Sequence, residues 1–359
     1  MAHNRLACLL KLLRKKKCTH LLISDPLDVR SICGFDATSA NLLLSPVARI
    51  LITDFRYRDA ARALCRRERQ WRFIEAREGG FDVLPKLVRR GSRLGVQANV
   101  MTLEQGDALR KRLRGVSIVK ISTEIAECLA PKEPSELDLM RKAARIADQA
   151  LRRLIPRLKA GVTEQEAARM LDRTCCVLGS EKPSFDTIVL FGARSALPHG
   201  MPSNVQLRRG DWVLIDFGCT VEGYCSDMTR TMVAGKASRR QRDFYGIVLE
   251  AQTRARERIQ TGRKAGDIDG IARNMIAAAG YGKAFGHATG HGVGLRIHEF
   301  PRLRKKDQTI LKTGMVVTVE PGIYVSKFGG VRIEDMVAIT DTGCEVLSRS
   351  PRELIELDL

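Results

Sequence analysis

The chain has 359 residues, 44% of them hydrophobic, and a formal net charge of +20 at pH 7. This length predicts two domains, and the absence of any apolar run of about 18 residues excludes a membrane-spanning protein. None of the ten cysteines forms a C-x-x-C pair. We therefore expect free thiols in a reducing compartment, and a cytoplasmic location, rather than a disulfide framework.

The excess of positive charge suggests a nucleic-acid-binding protein as one alternative. The basic residues are spread through predicted helices, such as those within 58–72 and 250–260, without interleaved aromatic residues or zinc-finger spacing. Charges in such segments more often form solvated helix faces. We therefore expect no specific nucleic-acid partner, and any non-specific binding should fall steeply with salt.

The first 125 or so residues alternate short apolar runs with amphipathic segments. This alternation is typical of an α/β domain, and no glycine-rich phosphate loop comes after any of the apolar runs, which argues against a nucleotide site. Leucines at helical spacing within residues 6–13 predict a first helix. Strands are predicted within 19–25, 48–54, 93–98 and 116–122, and helices within 55–69 and 102–115.

A change in composition marks the boundary between the two domains. Pro131 and Pro134 interrupt regular structure, and Ser135 with Asp138 has the spacing of a capping box that begins a long helix over 136–154. We therefore place the first domain at residues 1–128 and the second at residues 129–359.

The second domain begins with helices and continues as a mixture of strands and helices. Thr163 with Glu166 predicts a second capped helix, which Gly179 ends. The later segments lack regular βαβ alternation, so the predicted class is α+β.

Two segments of the second domain share one plan, in which an apolar strand reaches an acid and a glycine-containing turn leads to a returning strand with a second acid. The acids are Asp216 and Asp227 in the first segment, and Glu320 and Glu334 in the second. Turn positions or ion pairs with Arg230 would be the ordinary explanation for the first pair. Four carboxylates brought together would repel one another strongly and would persist only around cations.

Histidines are concentrated near these segments. Four of the six histidines, His199, His287, His291 and His298, occur in glycine- and proline-rich stretches, where loops often bring side chains to a site. The glycines between and after His287 and His291 argue against a zincin helix. One imidazole with four carboxylates favours Mn²⁺, Co²⁺ or Fe²⁺ over a thiolate zinc site. Four carboxylates exceed the need of one ion, which predicts a two-metal site.

The motifs PHG, IDFG…GYCSDMTRT, HATGHGVGLRIHE, VTVEPGIY and GVRIEDMV extend over residues 198–337. In this order they resemble the pita-bread (M24) metallopeptidases, which include aminopeptidase P, prolidase and methionine aminopeptidase. Residues 25–46 resemble, more loosely, the creatinase-like N-terminal domain found in the first two. The resemblance implies an α+β pita-bread catalytic domain preceded by a smaller α/β domain.

The resemblance also implies the site residues. The metal ligands would be Asp216, Asp227, His291, Glu320 and Glu334, which would hold two divalent ions, Mn²⁺ by first choice with Co²⁺, Fe²⁺ or Zn²⁺ as alternatives. Glu320 would shuttle a proton, His298 would stabilise the oxyanion, and His199 would bind the substrate backbone. His287 would line the pocket for the residue after the cut, and Arg332 would brace the metal carboxylates.

The activity implied is that of an aminopeptidase, in which a hydroxide bridging the two metals releases the first residue of a peptide with proline in the second position. An Xaa-Pro dipeptidase (prolidase) is the alternative, and a non-catalytic pita-bread module that binds protein or nucleic acid is a further one. The partners expected are Xaa-Pro peptides and a second copy of the chain in a homodimer.

Overall fold

The computed structural model describes residues 5–77 and 79–359, and it divides the chain into two compact units, Met1–Leu129 and Ala130–Leu359. The helices of the first unit are α1 (Arg5–Lys15), α2 (Pro26–Cys33), α3 (Arg58–Arg67), α4 (Leu84–Leu87), α5 (Leu103–Arg112) and α6 (Ser122–Leu129). Its strands are β1 (His20–Ile23), β2 (Ala40–Leu44), β3 (Arg49–Thr53), β4 (Arg72–Glu75), β5 (Arg93–Val96) and β6 (Ser117–Lys120).

The first unit is built on a single mixed sheet. Its strands lie in the order β4-β3-β2-β1-β5-β6. The pairs β1–β2 and β2–β3 are antiparallel, whereas β3–β4, β1–β5 and β5–β6 are parallel. The predicted α/β class, helices and four strands are confirmed. Strands β2 and β4 were not predicted. All residues of β2 are buried and none of β4 is, so neither run has the alternation that marks a half-buried strand.

The cysteines of the first unit correct one expectation. Cys8 in α1 and Cys128 in α6 form a disulfide, whereas the other eight cysteines are free thiols. The two helices pack against each other and bring the Cα atoms within 5.6 Å of each other, although 120 residues separate the cysteines in sequence. The expectation of free thiols throughout was wrong for this pair, since sequence spacing gives no indication of so distant a contact.

The helices of the second unit are α7 (Pro134–Leu154), α8 (Glu164–Val177), α9 (Arg239–Glu257) and α10 (Ala265–Ala278). Its strands are β7 (Ile188–Phe191), β8 (Trp212–Phe217), β9 (Thr220–Val221), β10 (Tyr224–Cys225), β11 (Met228–Ala234), β12 (Gly290–Gly292), β13 (Glu299–Leu303), β14 (Val316–Val319), β15 (Gly322–Val325), β16 (Gly329–Arg332), β17 (Asp335–Ile339), β18 (Cys344–Val346) and β19 (Glu356–Leu357).

These strands form two main sheets, each covered by a pair of helices. One sheet has the order β19-β11-β8-β7, and the other has the order β13-β12-β14-β17-β18. Buried side chains of α7 and α8 pack on β8 and β11, while those of α9 and α10 pack on β14 and β17. The predicted α+β class is confirmed, and each sheet packs against its helices around an apolar core.

The beginning of α7 differs from the prediction. The N-cap is Glu133, whose backbone N–H donates to Glu136 Oε2 at 2.7 Å, and Pro134 occupies the first helical turn. Ser135 and Asp138 therefore lie inside the helix. Proline is favoured in the first turn, because its missing N–H would have no partner there. The capping box of Thr163 and Glu166 at the start of α8 is confirmed.

The repeated plan of the two acid-bearing segments is confirmed in the strand pairing. Strands β8 and β11 pair antiparallel and are joined by the small hairpin β9–β10, and strands β14 and β17 pair antiparallel and are joined by the hairpin β15–β16. In each strand pair, the two acids lie at the end of the strands that is connected to the inner hairpin. Among the described residues, no helix has the length and apolar character needed to cross a membrane.

Candidate active site

All the site residues named from the sequence line one cavity of about 520 Å³. They come from both sheets of the second unit and from the loops between the strands. The cavity is lined by His199, Asp216, Asp227, His287, His291, His298, Glu320, Arg332 and Glu334.

Two glycines allow the strands to approach closely beside the acids. A Cβ atom on Gly218 would lie 1.9 Å from the carbonyl oxygen of Ser226, and one on Gly290 would lie 1.9 Å from the carbonyl oxygen of Thr318. No side chain fits at such distances. Gly218 comes two residues after Asp216, and Gly290 directly precedes His291. Both glycines therefore let two segments of main chain approach closely next to a candidate metal ligand.

The carboxylates are buried and repel one another. Burial, followed by the negative charges of Glu334, Asp216 and Glu320, raises the pKa of Asp227 well above its ordinary value. Burial and the charges of Glu320 and Asp216 likewise raise the pKa of Glu334, and burial raises that of Glu320. Such a cluster is costly for the chain alone and becomes favourable when cations neutralise it.

The contacts of His291 fit a metal site. Its Nδ1 lies 3.1 Å from the carbonyl oxygen of Gly292, which can only accept, so Nδ1 carries the proton and Nε2 is bare. That Nε2 lies 3.5 Å from Asp227 Oδ2 and 3.4 Å from Glu320 Oε1. Burial lowers the pKa of His291, so these are not ion pairs of an imidazolium. A lone pair facing two carboxylate oxygens is the arrangement that a cation would stabilise.

Further polar atoms agree with this interpretation. Ligand atoms of Asp227, His291 and Glu334 all lie within 4.8 Å of one another. Asp216 Oδ1 is buried and has no hydrogen-bond partner among the described residues, a cost that a metal ion would remove. Oxygen and imidazole donors of this kind suit Mn²⁺, Co²⁺ or Fe²⁺.

A chain of hydrogen bonds connects the acids to His287. Arg332 Nη2 donates to Asp216 Oδ2 at 2.5 Å, and Arg332 Nη1 donates to the hydroxyl of Tyr324 at 2.8 Å. Burial raises the pKa of Tyr324 to about 12, so its hydroxyl keeps the proton. It donates that proton to His287 Nε2 at 2.9 Å, because His287 Nδ1 already donates to the carbonyl oxygen of Ala288 at 2.8 Å. Every donor in the chain meets an acceptor, which fixes a neutral His287.

Arg230 does not neutralise the aspartates. Its guanidinium donates to Asp335 Oδ1 at 2.7 Å and to the carbonyl oxygens of Pro351 and Ser350. An ion pair of Arg230 with Asp216 or Asp227 is therefore the wrong explanation for these two acids. Arg230 instead ties strand β11 to the segment after β18.

His298 and the apolar wall complete the cavity. The rings of His298 and His291 are 4.3 Å apart and meet edge to face. Burial, followed by the neighbouring His291 and Arg302, lowers the pKa of His298, so the imidazole is neutral. Apolar surface is contributed by Phe185, Ile188, Pro198, Met201 and Ile297. The cavity thus has a charged floor beside an apolar wall, a combination suited to a peptide with a small apolar residue.

Sequence reasoning missed three residues of the site. Thr229 lies opposite Asp216 in the β8–β11 register, and its hydroxyl donates to Glu334 Oε2 at 2.7 Å. Tyr324 lies within the VTVEPGIY motif but was not singled out. Arg302, opposite His291 in the β12–β13 register, lines the cavity without an ion pair among the described residues. Only strand register, which the sequence does not show, distinguishes Arg302 from the many other arginines.

Comparison with known proteins agrees with this geometry. A family model described as Metallopeptidase family M24 matches residues 138–341, and one described as Creatinase/Prolidase N-terminal domain matches residues 5–128. An Xaa-Pro dipeptidase of Pyrococcus furiosus is 36% identical over 98% of this chain and 99% of its own length.

Two solved structures extend the comparison to the fold. An Xaa-Pro dipeptidase from Bacillus anthracis superposes with a TM-score of 0.91 at 35% identity, covering 98% of this chain and 99% of that one. An X-Pro aminopeptidase from Thermotoga maritima superposes with a TM-score of 0.83 at 32% identity over the same shares of the two chains. With its family match, its full-length relatives and its cluster of buried acids, this chain belongs to metallopeptidase family M24.

Proposed function

We propose that this protein is an Xaa-Pro dipeptidase, which hydrolyses dipeptides with proline in the second position. The observation that carries the proposal is Arg302, a solvent-exposed guanidinium that lines the cavity and has no carboxylate partner among the described residues. A dipeptide places its free carboxylate one residue beyond the cut, where a guanidinium within the cavity can bind it in a forked geometry. Two of the relatives described above carry the same name.

The sequence alone favoured an aminopeptidase, and the relatives favour the dipeptidase alternative. The X-Pro aminopeptidase structure from Thermotoga maritima, at 32% identity, keeps the aminopeptidase as a second candidate. The substrates of the two activities differ at the carboxyl group of the proline, which is free in a dipeptide and joined in a further peptide bond in a longer peptide. The charge of Arg302 is thus the feature that separates them.

Asp216, Asp227, His291, Glu320 and Glu334 would hold two divalent ions, with Mn²⁺ as first choice. When bound, these ions supply Lewis acidity and an activated water. Thr229 holds one oxygen of Glu334 through a 2.7 Å hydrogen bond, and Arg332 holds Asp216. These two hydrogen bonds orient the carboxylates of Glu334 and Asp216. Residues that hydrogen-bond to metal ligands commonly have this function.

The other side chains act on the substrate. Glu320 passes a proton from the attacking water to the leaving nitrogen, and the N–H of neutral His298 donates to the developing oxyanion. His199 binds the substrate backbone near the leaving nitrogen, and Asp216 receives the free amine. His287, fixed by Tyr324, lines the pocket that takes the proline ring.

We assign catalysis to the domain over 129–359, and the domain over 1–128 to an accessory role in a homodimer. The decisive test uses Ala-Pro, Ala-Pro-amide, Ala-Pro-Ala and Met-Ala-Ala with Mn²⁺ or Co²⁺. Preference for Ala-Pro over its amide would support a dipeptidase, whereas efficient release of the first residue from Ala-Pro-Ala would establish the aminopeptidase.

A variant makes the test specific to Arg302. Replacing Arg302→Met removes a charge-assisted hydrogen bond worth about 1.5–3 kcal/mol, so we expect the KM for Ala-Pro to rise about 10- to 100-fold. Cleavage of Ala-Pro-amide should not change. Arg304→Met, which removes an arginine paired with Asp307 near the end of the same strand, is the matched control. Equal losses on both substrates would refute the role of Arg302.

A further inference from the structure

A second concave surface of the catalytic unit has no part in the peptidase site. It is a groove of about 890 Å³ on helices α7 and α8 and the turn between them, and it shares no lining residue with the active-site cavity. We call it the arginine groove. It is lined by Arg153, Arg157, Val162, Glu166, Arg169, Met170, Arg173, Thr174 and Val177.

The four arginines of this groove are exposed and lack close ionic partners. Within the described ranges 5–77 and 79–359, none of them forms an ion pair or donates a hydrogen bond to another side chain. Elsewhere on the second unit, arginines such as Arg141 and Arg254 pair with glutamates at 2.7 Å. Four guanidinium groups around one groove, with Glu166 as the single carboxylate among the lining residues, repel one another, and an anionic ligand would reduce that repulsion.

The single carboxylate among the lining residues is already engaged. Glu166 Oε2 accepts hydrogen bonds from the backbone N–H and the hydroxyl of Thr163, both at 2.9 Å, as part of the α8 capping box. These hydrogen bonds, with a smaller contribution from Arg169, lower the pKa of Glu166. The carboxylate of Glu166 therefore caps the N-terminus of α8, and the four arginines leave the groove with a net positive charge.

The arrangement of charge matches a linear anion. Arg169 and Arg173 are four residues apart on α8, which places them about 6 Å apart along the helix axis. On the exposed face of α7, the positive surface continues through Lys142, Arg145 and Arg152. Positive charge over this stretch of α7 and α8 is more extended than one small anion requires, and guanidinium groups pair with phosphate in a forked geometry.

The geometry points to the arginine groove as a sequence-independent binding site for the phosphodiester backbone of single-stranded nucleic acid. Such binding requires only a positive groove that tracks the backbone. Val162 and Met170 provide an apolar floor but no aromatic platform for stacked bases, so base identity should not matter. The proposal also assigns a function to part of the net charge of +20.

The test is fluorescence anisotropy of labelled single-stranded oligouridine with the full-length protein over a range of salt concentrations. Four phosphate contacts predict a slope of log K against log salt of about −3, or an affinity loss of about 50-fold between roughly 50 and 200 mM salt. The groove variant carries Arg153→Gln, Arg157→Gln, Arg169→Gln and Arg173→Gln. We expect it to bind at least about 10²-fold more weakly at low salt, with a nearly flat salt dependence.

The control variant removes the same charge from the first unit, where Arg62, Arg66, Arg112 and Arg114 are exposed and are replaced by glutamine. It should bind like the wild-type protein, and both variants should retain Ala-Pro hydrolysis, which verifies their folding. If the fourfold groove variant does not fold, the pair Arg169→Gln and Arg173→Gln should halve the slope.

Three results would overturn the proposal. The first is no binding by the wild-type protein at low salt, and the second is an equal loss in the groove and control variants, which would indicate diffuse attraction. The third is displacement of oligouridine by polyglutamate at equal charge concentration, which would identify an acidic-peptide groove.

Discussion

The two strand pairs that bear the acids, β8–β11 and β14–β17, share a plan, yet their inner hairpins have different tasks. The hairpin β9–β10 carries Tyr224, whose hydroxyl donates to Glu136 at the start of α7. The hairpin β15–β16 carries Tyr324, whose hydroxyl lies between Arg332 and His287 at the active-site cavity. One tyrosine thus holds a helix and the other orders the site, although both occupy the inner hairpin of an equivalent strand pair.

The two strand pairs also brace each other's acids. Thr229 on β11 holds Glu334 of the second pair at 2.7 Å, and Arg332 on β16 holds Asp216 of the first pair at 2.5 Å. Each pair with its hairpin therefore supplies acids and the groups that orient the other pair's acids. The shared plan of the two strand pairs accounts for the four carboxylates. Their hydrogen-bond partners, Thr229 and Arg332, are residues in which the two strand pairs differ.

The largest expected effect comes from an acid that both strand pairs help to place. Glu334→Ala should reduce turnover of Ala-Pro by at least about 10³-fold and lower the metal content, because Glu334 is one of the carboxylates that would hold the metal under the proposed assignment. Metal analysis and steady-state kinetics on the same preparation measure this. Glu345→Ala is the control, because it removes an acid of strand β18 that forms a half-buried ion pair with Arg141 outside the cavity. Two tightly bound metals with near-normal turnover in Glu334→Ala would contradict the assignment.

His291 on β12 and His298 in the turn before β13, whose rings lie side by side, provide the next comparison. If His298 donates to the oxyanion, His298→Ala should lower kcat by about 10²–10³-fold with a smaller change in KM. Its metal content should not change. His291→Ala should lose metal and activity together, since its bare Nε2 faces Asp227 and Glu320.

The rings of these histidines touch, so the outcome is informative in either direction. Loss of metal from His298→Ala would make His298 a ligand. A raised KM with kcat intact would restrict it to substrate binding.

The sequence predicted the parts of this site that depend on local pattern. Apolar strands that end in Asp216 and Glu320, and glycines at close approaches, are visible in a single chain. A resemblance of motifs then assigned His291 and Arg332. Strand pairs and helices were predicted by the same periodicities, which is why the α/β and α+β classes were both correct.

The parts that were missed depend on register and on distant contacts. Tyr224 and Tyr324 look alike in sequence, and only the packing of each hairpin shows which one faces α7. Arg302 reaches the cavity because β13 pairs with β12 in one register, and a shift of one residue would turn it away. The Cys8–Cys128 disulfide depends on two helices that lie far apart in the chain.

The two tyrosines provide the sharpest test of the comparison between the strand pairs, with the smallest expected effect. Tyr324→Phe removes the donor to His287 and the acceptor of Arg332 without changing the ring, so we expect kcat/KM for Ala-Pro to fall about 10- to 100-fold. Tyr224→Phe removes one hydrogen bond from the buried Glu136 and should lower the free energy of unfolding by about 1–3 kcal/mol. Its kcat/KM should not change below the unfolding transition. Steady-state kinetics and thermal unfolding measure kcat/KM and stability for both variants. The comparison predicts that only Tyr324→Phe loses activity. If Tyr224→Phe lost as much activity, the hairpin β9–β10 would also order the site, and the division of tasks between the two hairpins would be wrong.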